Sequence, residues 1–447
     1  MKTLRLIIAT FVLNGIQWGQ AQDTAKTDSS DPQAKNWPQW RGPFNTGEAT
    51  SGANPPITWD EDTHIKWKTP LPGRGLSTPA IWNDHIFLTT AVPVGKKLPA
   101  KYSGAPGAHD NSAVTQQHEF IVIAINRKDG KILWQTKVHK ALPHEGAHVS
   151  ASLASASPAT DGKLVYAFFG SYGLYALDFD GKIKWQVNLG TMNSKHGHGE
   201  GSSPTLINNT LIVNWDHEGE SFVVAFDTRT GKQVWEKSRN EATSWASPVA
   251  FQFEGKEQVL VSGTERVRCY DVANGDIIWE CGGLSANVVA TPIVHDGFAW
   301  IGSSYGIRFL MTVKLEEASG DITDSDHVIW TRHQRTPYVP SPLLYKGTLY
   351  YFAHYQPIIS RVIARTGEDL PGPLRINGLR DLYASPVGAA NRIYLTDLSG
   401  TTMVISHTRE LPEMLSTNQL DDQFSASPAI VGKELFLRGK HLYCISE

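Results

Sequence analysis

The sequence predicts an all-β protein, an eight-bladed β-propeller built from four-stranded blades. Eight times along the 447 residues, a serine or threonine stands directly before a proline that opens an apolar run. From the second of these dipeptides to the last, the intervals are 46, 44, 44, 50, 44 and 42 residues, the period of a propeller blade. The dipeptides are Thr78-Pro79, Ser157-Pro158, Ser203-Pro204, Ser247-Pro248, Thr291-Pro292, Ser341-Pro342, Ser385-Pro386 and Ser427-Pro428.

Each repeat carries the pattern of four short strands, which we name A to D from the dipeptide onward. In the repeat that begins at Ser157, apolar residues alternate with polar ones, and Asp180-Gly181 separates strands C and D. Such pairs supply the positive φ angle that a tight hairpin turn needs. The equivalent pairs in other repeats are Asp129-Gly130, Thr230-Gly231 and Asn274-Gly275. Alternation bounded by these turns predicts half-buried strands.

A tryptophan recurs on the predicted D strand, at positions 134, 185, 235, 279 and 330. A large aromatic ring on an outer strand at blade spacing can cover the face of the next blade, so we interpret these residues as packing contacts. The sixth and seventh repeats lack this tryptophan. Their blades should therefore be held less tightly.

The last repeat ends at Glu447 after its third strand, without a D strand. A matching segment, Ile65-Lys66-Trp67-Lys68, stands before the first repeat. We therefore expect residues 64–69 to complete the eighth blade and leave no free sheet edge. This predicts one propeller domain over residues 37–447.

The first residues have the pattern of a secretory signal. Lys2 and Arg5 precede an apolar stretch that ends in small residues near Ala21, which predicts a cleaved signal peptide over 1–21 and a periplasmic or secreted protein. No cysteine follows the signal, so a lipid anchor is not expected. Residues 22–36 are polar and predict a flexible linker. No membrane span is expected in the mature chain, which we expect to be monomeric.

Charge and cysteine content narrow the function classes. The net charge is only −3, from 41 basic and 44 acidic residues, so no nucleic-acid partner is expected. Three cysteines cannot form a disulfide framework in so long a chain. A bridge between Cys269 and Cys281 stays open, although pairing across a strict two-residue turn places them on opposite faces of the sheet.

One repeat unit carries a resemblance to a known family. The run from Val224 to Trp235, VAFDTRTGKQVW, resembles the tryptophan-docking repeat of the pyrroloquinoline-quinone (PQQ)-type propellers. These include quinoprotein alcohol dehydrogenases and BamB, the propeller lipoprotein of outer-membrane protein assembly. The segments NWPQWRGP (36–43) and PLPGRG (70–75) resemble an exported branch of these propellers.

The dehydrogenase resemblance implies a PQQ cofactor beside a vicinal Cys-Cys pair and a calcium ion held by Glu, Asn and Asp. The chain has no Cys-Cys pair, and the calcium ligands cannot be placed on it, so PQQ is disfavoured. The lipid-acceptor cysteine of the assembly lipoprotein is also missing. No cofactor is assigned, and a divalent metal stays open.

Histidines and carboxylates concentrate in connections predicted to share one propeller face. The D-to-A and B-to-C connections emerge on the same side, and the long first B-to-C insertion, with His109, Asp110 and His118, belongs there too. Imidazole and carboxylate groups suit a transition metal or acid–base chemistry. The candidate ligand-binding residues are His144, His148, His196, His198, Glu200, Asp216, His217 and Glu218, with His196, His198 and His217 as candidate metal ligands.

Residues just before the A strands are expected to crowd the central funnel, where they plug it or grip a flat ligand. They are Trp245, Asn287, Tyr338, Tyr383 and Phe424. The first functional hypothesis is an exported binding or scaffold protein that holds a protein, glycan or metal on its histidine-bearing face. A PQQ-dependent oxidoreductase and a metal-dependent hydrolase are the alternatives, and no catalytic residue is assigned.

Overall fold

A computed structural model describes residues 35–447. The predicted signal peptide (1–21) and nearly all of the predicted linker (22–36) lie outside the described residues. The described chain forms eight antiparallel sheets of four strands each: in seven of them the strands follow one another in the chain, and in the eighth the N-terminal strand joins the last three strands. One sheet gains a short added strand that pairs in parallel. The predicted all-β, eight-bladed propeller is therefore confirmed. No helix within these residues is long and apolar enough to cross a lipid bilayer.

The strands follow the repeat. Strand β1 (Ile65–Pro70) precedes blade one, which contains β2 (Ala80–Trp82), β3 (His85–Val94), β4 (Gln117–Asn126) and β5 (Ile132–Ala141). Blade two contains β6 (Ala159–Thr160), β7 (Leu164–Phe168), β8 (Leu174–Asp178) and β9 (Ile183–Val187). Blade three contains β10 (Thr205–Ile207), β11 (Thr210–Trp215), β12 (Ser221–Asp227) and β13 (Gln233–Arg239). Blade four contains β14 (Val249–Phe253), β15 (Lys256–Ser262), β16 (Arg266–Asp271) and β17 (Ile277–Gly282).

Blade five contains β18 (Ile293–His295), β19 (Phe298–Ser303), β20 (Phe309–Lys314) and β22 (Val328–Arg332). The connection between its C and D strands carries the short strand β21 (Gly320–Asp321), which pairs in parallel with β17 of blade four. Blade six contains β23 (Leu343–Tyr345), β24 (Thr348–Phe352), β25 (Ile358–Ile363) and β26 (Leu374–Arg375). Blade seven contains β27 (Val387–Ala389), β28 (Arg392–Thr396), β29 (Thr401–Ser406) and β30 (Met414–Gln419). Blade eight contains β31 (Ala429–Val431), β32 (Glu434–Arg438) and β33 (His441–Ile445). Two single-turn 3-10 helices, Gly170–Tyr172 and Lys195–Gly197, lie in connections.

The N-terminal strand closes the ring as predicted. β1 pairs antiparallel with β33, with Lys68 opposite Tyr443, and so supplies the missing D strand of blade eight. The Trp67 indole N–H donates to the Arg127 carbonyl of blade one at 2.9 Å. Because first and last strands share one sheet, opening the ring would require breaking a complete strand ladder.

The serine or threonine of each dipeptide has a structural role around the axis. Its hydroxyl oxygen accepts a hydrogen bond from the backbone N–H of the equivalent residue in the preceding blade, at 2.9–3.2 Å in seven of the eight junctions. At the eighth junction, the Thr78 hydroxyl donates to the Ser427 carbonyl at 3.1 Å. These residues are nearly fully buried. A hydroxyl is required here because an unpaired buried N–H is costly.

The recurrent tryptophans pack as expected. The Trp185 ring lies against Gly231 in the C-to-D turn of the next blade, where a Cβ would come within 2.6 Å of it. Its indole N–H donates to the Thr228 carbonyl at 2.8 Å. Trp279 differs, because its buried indole nitrogen has no hydrogen-bond partner within residues 35–447. The reason is that the C-to-D connection of blade five is the longer segment carrying β21 rather than a tight turn.

An N-terminal strap, residues 37–54, contacts every blade in turn. Its hydrogen-bond partners, from blade one to blade eight, are Ile81, Thr160, Leu206, Ala250, Thr291, Leu344, Gly388 and Gly432. At its centre, Arg41 is buried and donates to the carbonyls of Pro342 and Pro386 at 2.7 and 2.9 Å. Burial lowers the pKa of Arg41 to about 9, so the guanidinium remains charged at neutral pH.

The three cysteines are buried free thiols, so no Cys269–Cys281 bridge is present. The expectation that these two residues lie on opposite faces is wrong. A β-bulge between Cys269 and Tyr270 shifts the register, so Cys269 lies opposite Trp279 and Cys281 opposite Val267. Both thiols consequently belong to the same hydrophobic cluster.

Candidate functional site

A funnel lies at the propeller axis and encloses about 550 Å³. Its walls come from D-to-A and B-to-C connections, which bring His109, His148, His198 and Glu200 to one cavity. Its floor includes the hydroxyls of the axial dipeptides and Trp40 of the strap, whose indole N–H donates to the Thr291 hydroxyl at 3.0 Å. The strap thereby makes the funnel a pocket with one entrance.

Aromatic side chains form one wall of the funnel. Tyr305 stacks on Tyr338 with ring centroids 5.9 Å apart, and Tyr355 stacks on Tyr383 at 5.6 Å. Burial raises the pKa of both Tyr338 and Tyr383, which keeps their phenols protonated as hydrogen-bond donors. Trp245 and Asn287 also line the cavity.

The expectation for Phe424 is wrong. This residue is fully buried in the blade core and packs against Tyr443 at 5.8 Å, while Ser425 lines the funnel beside it. The aromatic wall therefore comes from blades five to seven and does not extend around the whole axis.

Four histidines cluster on the opposite side of the funnel mouth. The ring centroids of His109 lie 4.7 Å from His198 and 5.0 Å from His196, and those of His196 and His198 are 5.4 Å apart. His148 lies 4.8 Å from His198. Burial, together with the neighbouring imidazoles, lowers the pKa of His198 to about 4. The structure thus joins three predicted residues with His109 of the insertion.

A second group, His144, Glu145 and Glu200, lines a smaller side cavity, and its potential ligand atoms lie within 4.8 Å of one another. All three are engaged within the protein. His144 Nε2 contacts the Met192 carbonyl at 2.8 Å, which requires that nitrogen to carry a proton. Both oxygens of Glu200 accept hydrogen bonds from Ser171.

The charge state of Glu200 depends on its burial. Burial raises the pKa of Glu200 to about 7, against the lowering effect of the Ser171 hydrogen bonds. A protonated carboxyl is a poor metal ligand, because metals bind the deprotonated form. The side-cavity group therefore resembles a hydrogen-bonded support for the loops more than an ion site.

The remaining candidate ligand-binding residues, Asp216, His217 and Glu218, lie around blade three. Asp216 is completely buried and pairs with Arg239 at 2.8 Å. The Asn193 N–H donates to His217 Nδ1 at 3.2 Å, and the other ring nitrogen contacts the Glu220 carbonyl. Glu218 accepts hydrogen bonds from the backbone and hydroxyl of Thr243. These side chains do not join the four-histidine cluster, and their polar atoms are already engaged.

A family profile described as "Outer membrane protein assembly factor BamB" matches residues 49–217 and 219–447. The chain belongs to this family. The resemblance of its repeats to the PQQ-type propellers is thereby confirmed. No curated protein sequence matches the chain.

Solved structures agree with the BamB-family fold. BamB from Moraxella catarrhalis is 14% identical, with a TM-score of 0.53, over 80% of this chain and 99% of that one. A europium-containing methanol dehydrogenase is 10% identical, with a TM-score of 0.59, over 91% and 90% of the two chains. A quinohemoprotein alcohol dehydrogenase from Pseudomonas putida HK5 is 10% identical, with a TM-score of 0.51, over 91% and 75%. At these identities the likeness concerns the fold alone.

The funnel of this BamB-family chain does not fit the quinone arrangement of the dehydrogenases. The sequence has no Cys-Cys pair, and its three thiols are buried within the blades. Both oxygens of Glu200 are occupied by Ser171. These residues therefore do not supply the contacts that the dehydrogenase resemblance implies for PQQ.

Sequence reasoning missed several funnel residues. Tyr305 and Tyr355 lie in B-to-C loops, and their position between the B and C strands of blades five and six was the available signal. Trp40 could not be placed, since nothing in its local sequence indicates that the strap crosses the axis. The sequence places His109 in the insertion of blade one, but its histidine partners lie in connections between other strands.

Proposed function

We propose that this BamB-family chain is an exported binding protein whose axial funnel holds a small, polar, largely uncharged ligand with flat apolar faces, the description of a saccharide. The observation that carries the proposal is the one-ended funnel. It is closed by Trp40, walled by stacked tyrosines and floored by hydroxyl groups. A pocket with a single entrance retains a ligand instead of conducting it.

The lining chemistry supports this ligand class. A volume of about 550 Å³ falls within the usual range for small-ligand pockets. Tyrosine and tryptophan rings offer flat apolar surface with a polar edge, which suits a sugar ring with apolar and hydroxylated sides. Among the described lining residues, Asp110 and Glu200 are the carboxylates and none is Lys or Arg, so a strongly charged ligand would find little compensation.

Titration with a panel of neutral mono- to tetrasaccharides tests the proposal. Trp40 and Trp245 line the funnel, so bound ligand should change the intrinsic tryptophan fluorescence, and calorimetry should give the affinity. Tyr338→Ala and Tyr383→Ala should each weaken binding about tenfold or more, as expected for loss of a central aromatic contact.

Tyr102→Ala is the matched control, because Tyr102 is 67% exposed and does not line the funnel. It should bind like the wild type. Equal losses in all three variants, or no saccharide response in the wild type, would overturn the assignment of the funnel as a saccharide site.

Export is tested on the precursor. The small residues near Ala21 support cleavage there, so N-terminal sequencing of protein recovered from the periplasm or medium should begin at Gln22. A protein that retains residues 1–21 in the cytoplasm would contradict export.

A protein partner is a second candidate, favoured by exposed apolar side chains at the funnel rim. Val149, Tyr305, Ile307 and Tyr355 are 54, 42, 58 and 40% exposed. The family description, an outer membrane protein assembly factor, is consistent with a protein partner. Ile307→Asp should abolish co-purification with the assembly machinery of the native host, whereas Ile277→Asp on the outer strand of blade four should not.

A further inference from the structure

The connection between β5 and β6 brings a serine hydroxyl and an imidazole together in the wall of the funnel. Ser150 Oγ lies 2.6 Å from His148 Nδ1, and both residues line the cavity. Both are only partly buried, so a molecule in the funnel can reach them. A hydroxyl at this distance from an imidazole is the arrangement that activates serine as a nucleophile.

The backbone fixes the direction of this hydrogen bond. The Ser150 N–H donates to the same His148 Nδ1 at 3.2 Å. Because an N–H group can only donate, Nδ1 holds a lone pair and the ring proton is on Nε2. The Ser150 hydroxyl therefore donates to Nδ1, and the imidazole is in position to take the hydroxyl proton as a general base.

The turn that carries the pair is held by backbone hydrogen bonds. The Ala151 N–H donates to the His148 carbonyl at 2.8 Å, which places Ser150 at a corner of the turn. The Val149 N–H donates to the Asp110 carbonyl of the long insertion, also at 2.8 Å. A nucleophile and a base on one fixed turn keep the short separation that proton transfer requires.

Two further side chains face the pair from other connections. Burial lowers the pKa of His148 and leaves the ring neutral at pH 7, whereas the charge of Asp110 opposes this lowering and would stabilise the imidazolium. Burial raises the pKa of Tyr383, and a hydrogen bond with the Ser150 hydroxyl offsets part of the rise. The protonated phenol of Tyr383 is thus placed beside Ser150, where it can donate to an oxygen atom of a bound molecule.

We propose that Ser150 and His148 hydrolyse a carboxylic ester bound in the funnel, with Ser150 as the nucleophile and His148 as the general base. Ser150 Oγ bonds to the carbonyl carbon, its proton passes to His148 Nδ1, and the carbonyl electron pair moves onto the oxygen. When that pair returns, the bond to the alkoxide breaks and the alkoxide takes the proton from Nδ1. Water then attacks the acyl-serine and gives a proton to Nδ1, and Ser150 leaves and recovers that proton. One ester and one water yield one alcohol and one carboxylic acid.

The funnel lining narrows the class of ester. None of the described lining residues is Lys or Arg, so a phosphate or sulfate ester would lack a counter-charge, whereas a carboxylic ester is neutral. Under the proposed function the alcohol part is a saccharide, and the substrate is then a saccharide that carries an acyl group on one of its hydroxyls. Only this identity of the alcohol rests on the proposed function.

A fluorophosphonate probe and para-nitrophenyl acetate test the pair on the purified protein. We expect peptide mass spectrometry to find the probe on Ser150, and ester hydrolysis to stop as labelling completes. Ser150→Ala should abolish labelling, and Ser150→Ala and His148→Gln should each lower kcat/KM about a hundredfold or more. Asp110→Asn and Tyr383→Phe keep the side-chain shape and should lower kcat about tenfold with KM unchanged, a separation that a merely structural role would not produce.

Ser103→Ala is the matched control. Ser103 is a partly buried serine of the long insertion, its hydroxyl accepts a hydrogen bond from the Ala105 N–H at 3.2 Å, and it does not line the funnel. This variant should be labelled and should hydrolyse the ester like the wild type. Circular dichroism and the unfolding temperature check that every variant is folded. A wild-type protein that takes up no probe, a label on another serine, or hydrolysis unchanged in folded Ser150→Ala would overturn the proposal.

Saccharide binding is measured separately from the ester chemistry. Ser150→Ala should still bind the unacylated saccharides, and the wild type should hydrolyse an acetylated disaccharide at a higher kcat/KM than ethyl acetate. Equal values would overturn the saccharide part of the substrate. A labelled Ser150 in a protein without saccharide response would overturn the proposed function and leave the ester chemistry standing.

Discussion

The buried pair of Asp216 and Arg239 offers a sharp test of the geometry around blade three. Both side chains have 0% exposure, and the Arg239 guanidinium donates to the two Asp216 oxygens at 2.8 and 3.1 Å. Ser244 donates to the same carboxylate at 2.8 Å. Burial is the largest influence on the pKa of Arg239 and lowers it, but the attraction and hydrogen bonds of Asp216, together with Tyr270 and Glu241, raise it by more in sum, so the net pKa is raised and the arginine stays charged.

Asp216→Asn keeps the shape of the side chain and removes its charge, leaving a buried guanidinium without a counter-ion. Breaking a buried pair in this way costs about 3–5 kcal/mol. For about 400 folded residues, the unfolding entropy is about 0.9 kcal/mol per kelvin, so the unfolding temperature should fall by about 3–6 °C. Differential scanning fluorimetry or calorimetry measures this shift directly.

The double variant Asp216→Leu with Arg239→Met removes both charges at once and should recover most of the lost stability, because an apolar pair of similar volume has no desolvation cost to offset. Saccharide affinity should be unchanged in the folded variants. An Asp216→Asn protein with wild-type unfolding temperature, or with lost ligand binding at unchanged stability, would refute the structural role.

Three further substitutions test the blades themselves. Ser385→Ala removes the hydroxyl that accepts a hydrogen bond from the Ser341 N–H at 2.9 Å, and it should lower the free energy of unfolding by about 1–3 kcal/mol, measured by thermal unfolding. Ser385→Thr keeps the acceptor oxygen and should lower this free energy by less. Gly231→Ala should lower the free energy of unfolding by about 2–4 kcal/mol in the same assay, because φ is +67° and the new Cβ would lie 2.6 Å from the Trp185 ring. Gly347→Ala is the control: φ is +73° there, but nothing lies within 4 Å of the new Cβ, so the loss should be only about 1 kcal/mol. Burial, with nearby cations, lowers the pKa of His407 to about 4, so only the unfolded chain takes up its proton between pH 6.5 and 4. Stability should therefore fall as pH falls through that window, and His407→Gln should flatten this part of the stability profile measured by denaturant titration.

A specific result would contradict each of these three predictions. For the axial hydroxyls it is an unchanged unfolding temperature in Ser385→Ala. For the tryptophan contact it is an equal loss in Gly231→Ala and Gly347→Ala. For His407 it is the same loss of stability between pH 6.5 and 4 in the wild type and in His407→Gln.

The features that the sequence predicted correctly are local and repeated. The Ser-Pro and Thr-Pro dipeptides and the turn glycines recur at blade spacing because every blade meets the same two neighbours. Trp67 could be matched to β33 because the last repeat visibly lacks a D strand. The Cys269–Cys281 geometry was mistaken because a single β-bulge changes the register, and turn residues alone do not reveal a bulge within a strand.

The candidate site was predicted in outline only. Assigning connections to faces brought His148, His196 and His198 to one funnel mouth, but their grouping with His109 depends on how the long insertion folds back. The same reasoning also makes Asp216 a candidate ligand residue. Its buried partner, Arg239, lies 23 positions away, and nothing in the sequence indicates that the two side chains pair. Loop geometry is set by long-range packing, and a period of 42–50 residues does not describe it.

By itself, the sequence determined the architecture, the blade count and the closure, because these follow from a periodic pattern of hydrogen-bonding and packing needs that each blade satisfies with its neighbours. Only the tertiary structure decided that the strap closes one end of the axis with Trp40, that stacked tyrosines wall the funnel, and that His109 meets His196 and His198. Those contacts join segments far apart in the chain, and their free energy depends on distances that exist only after the ring has closed.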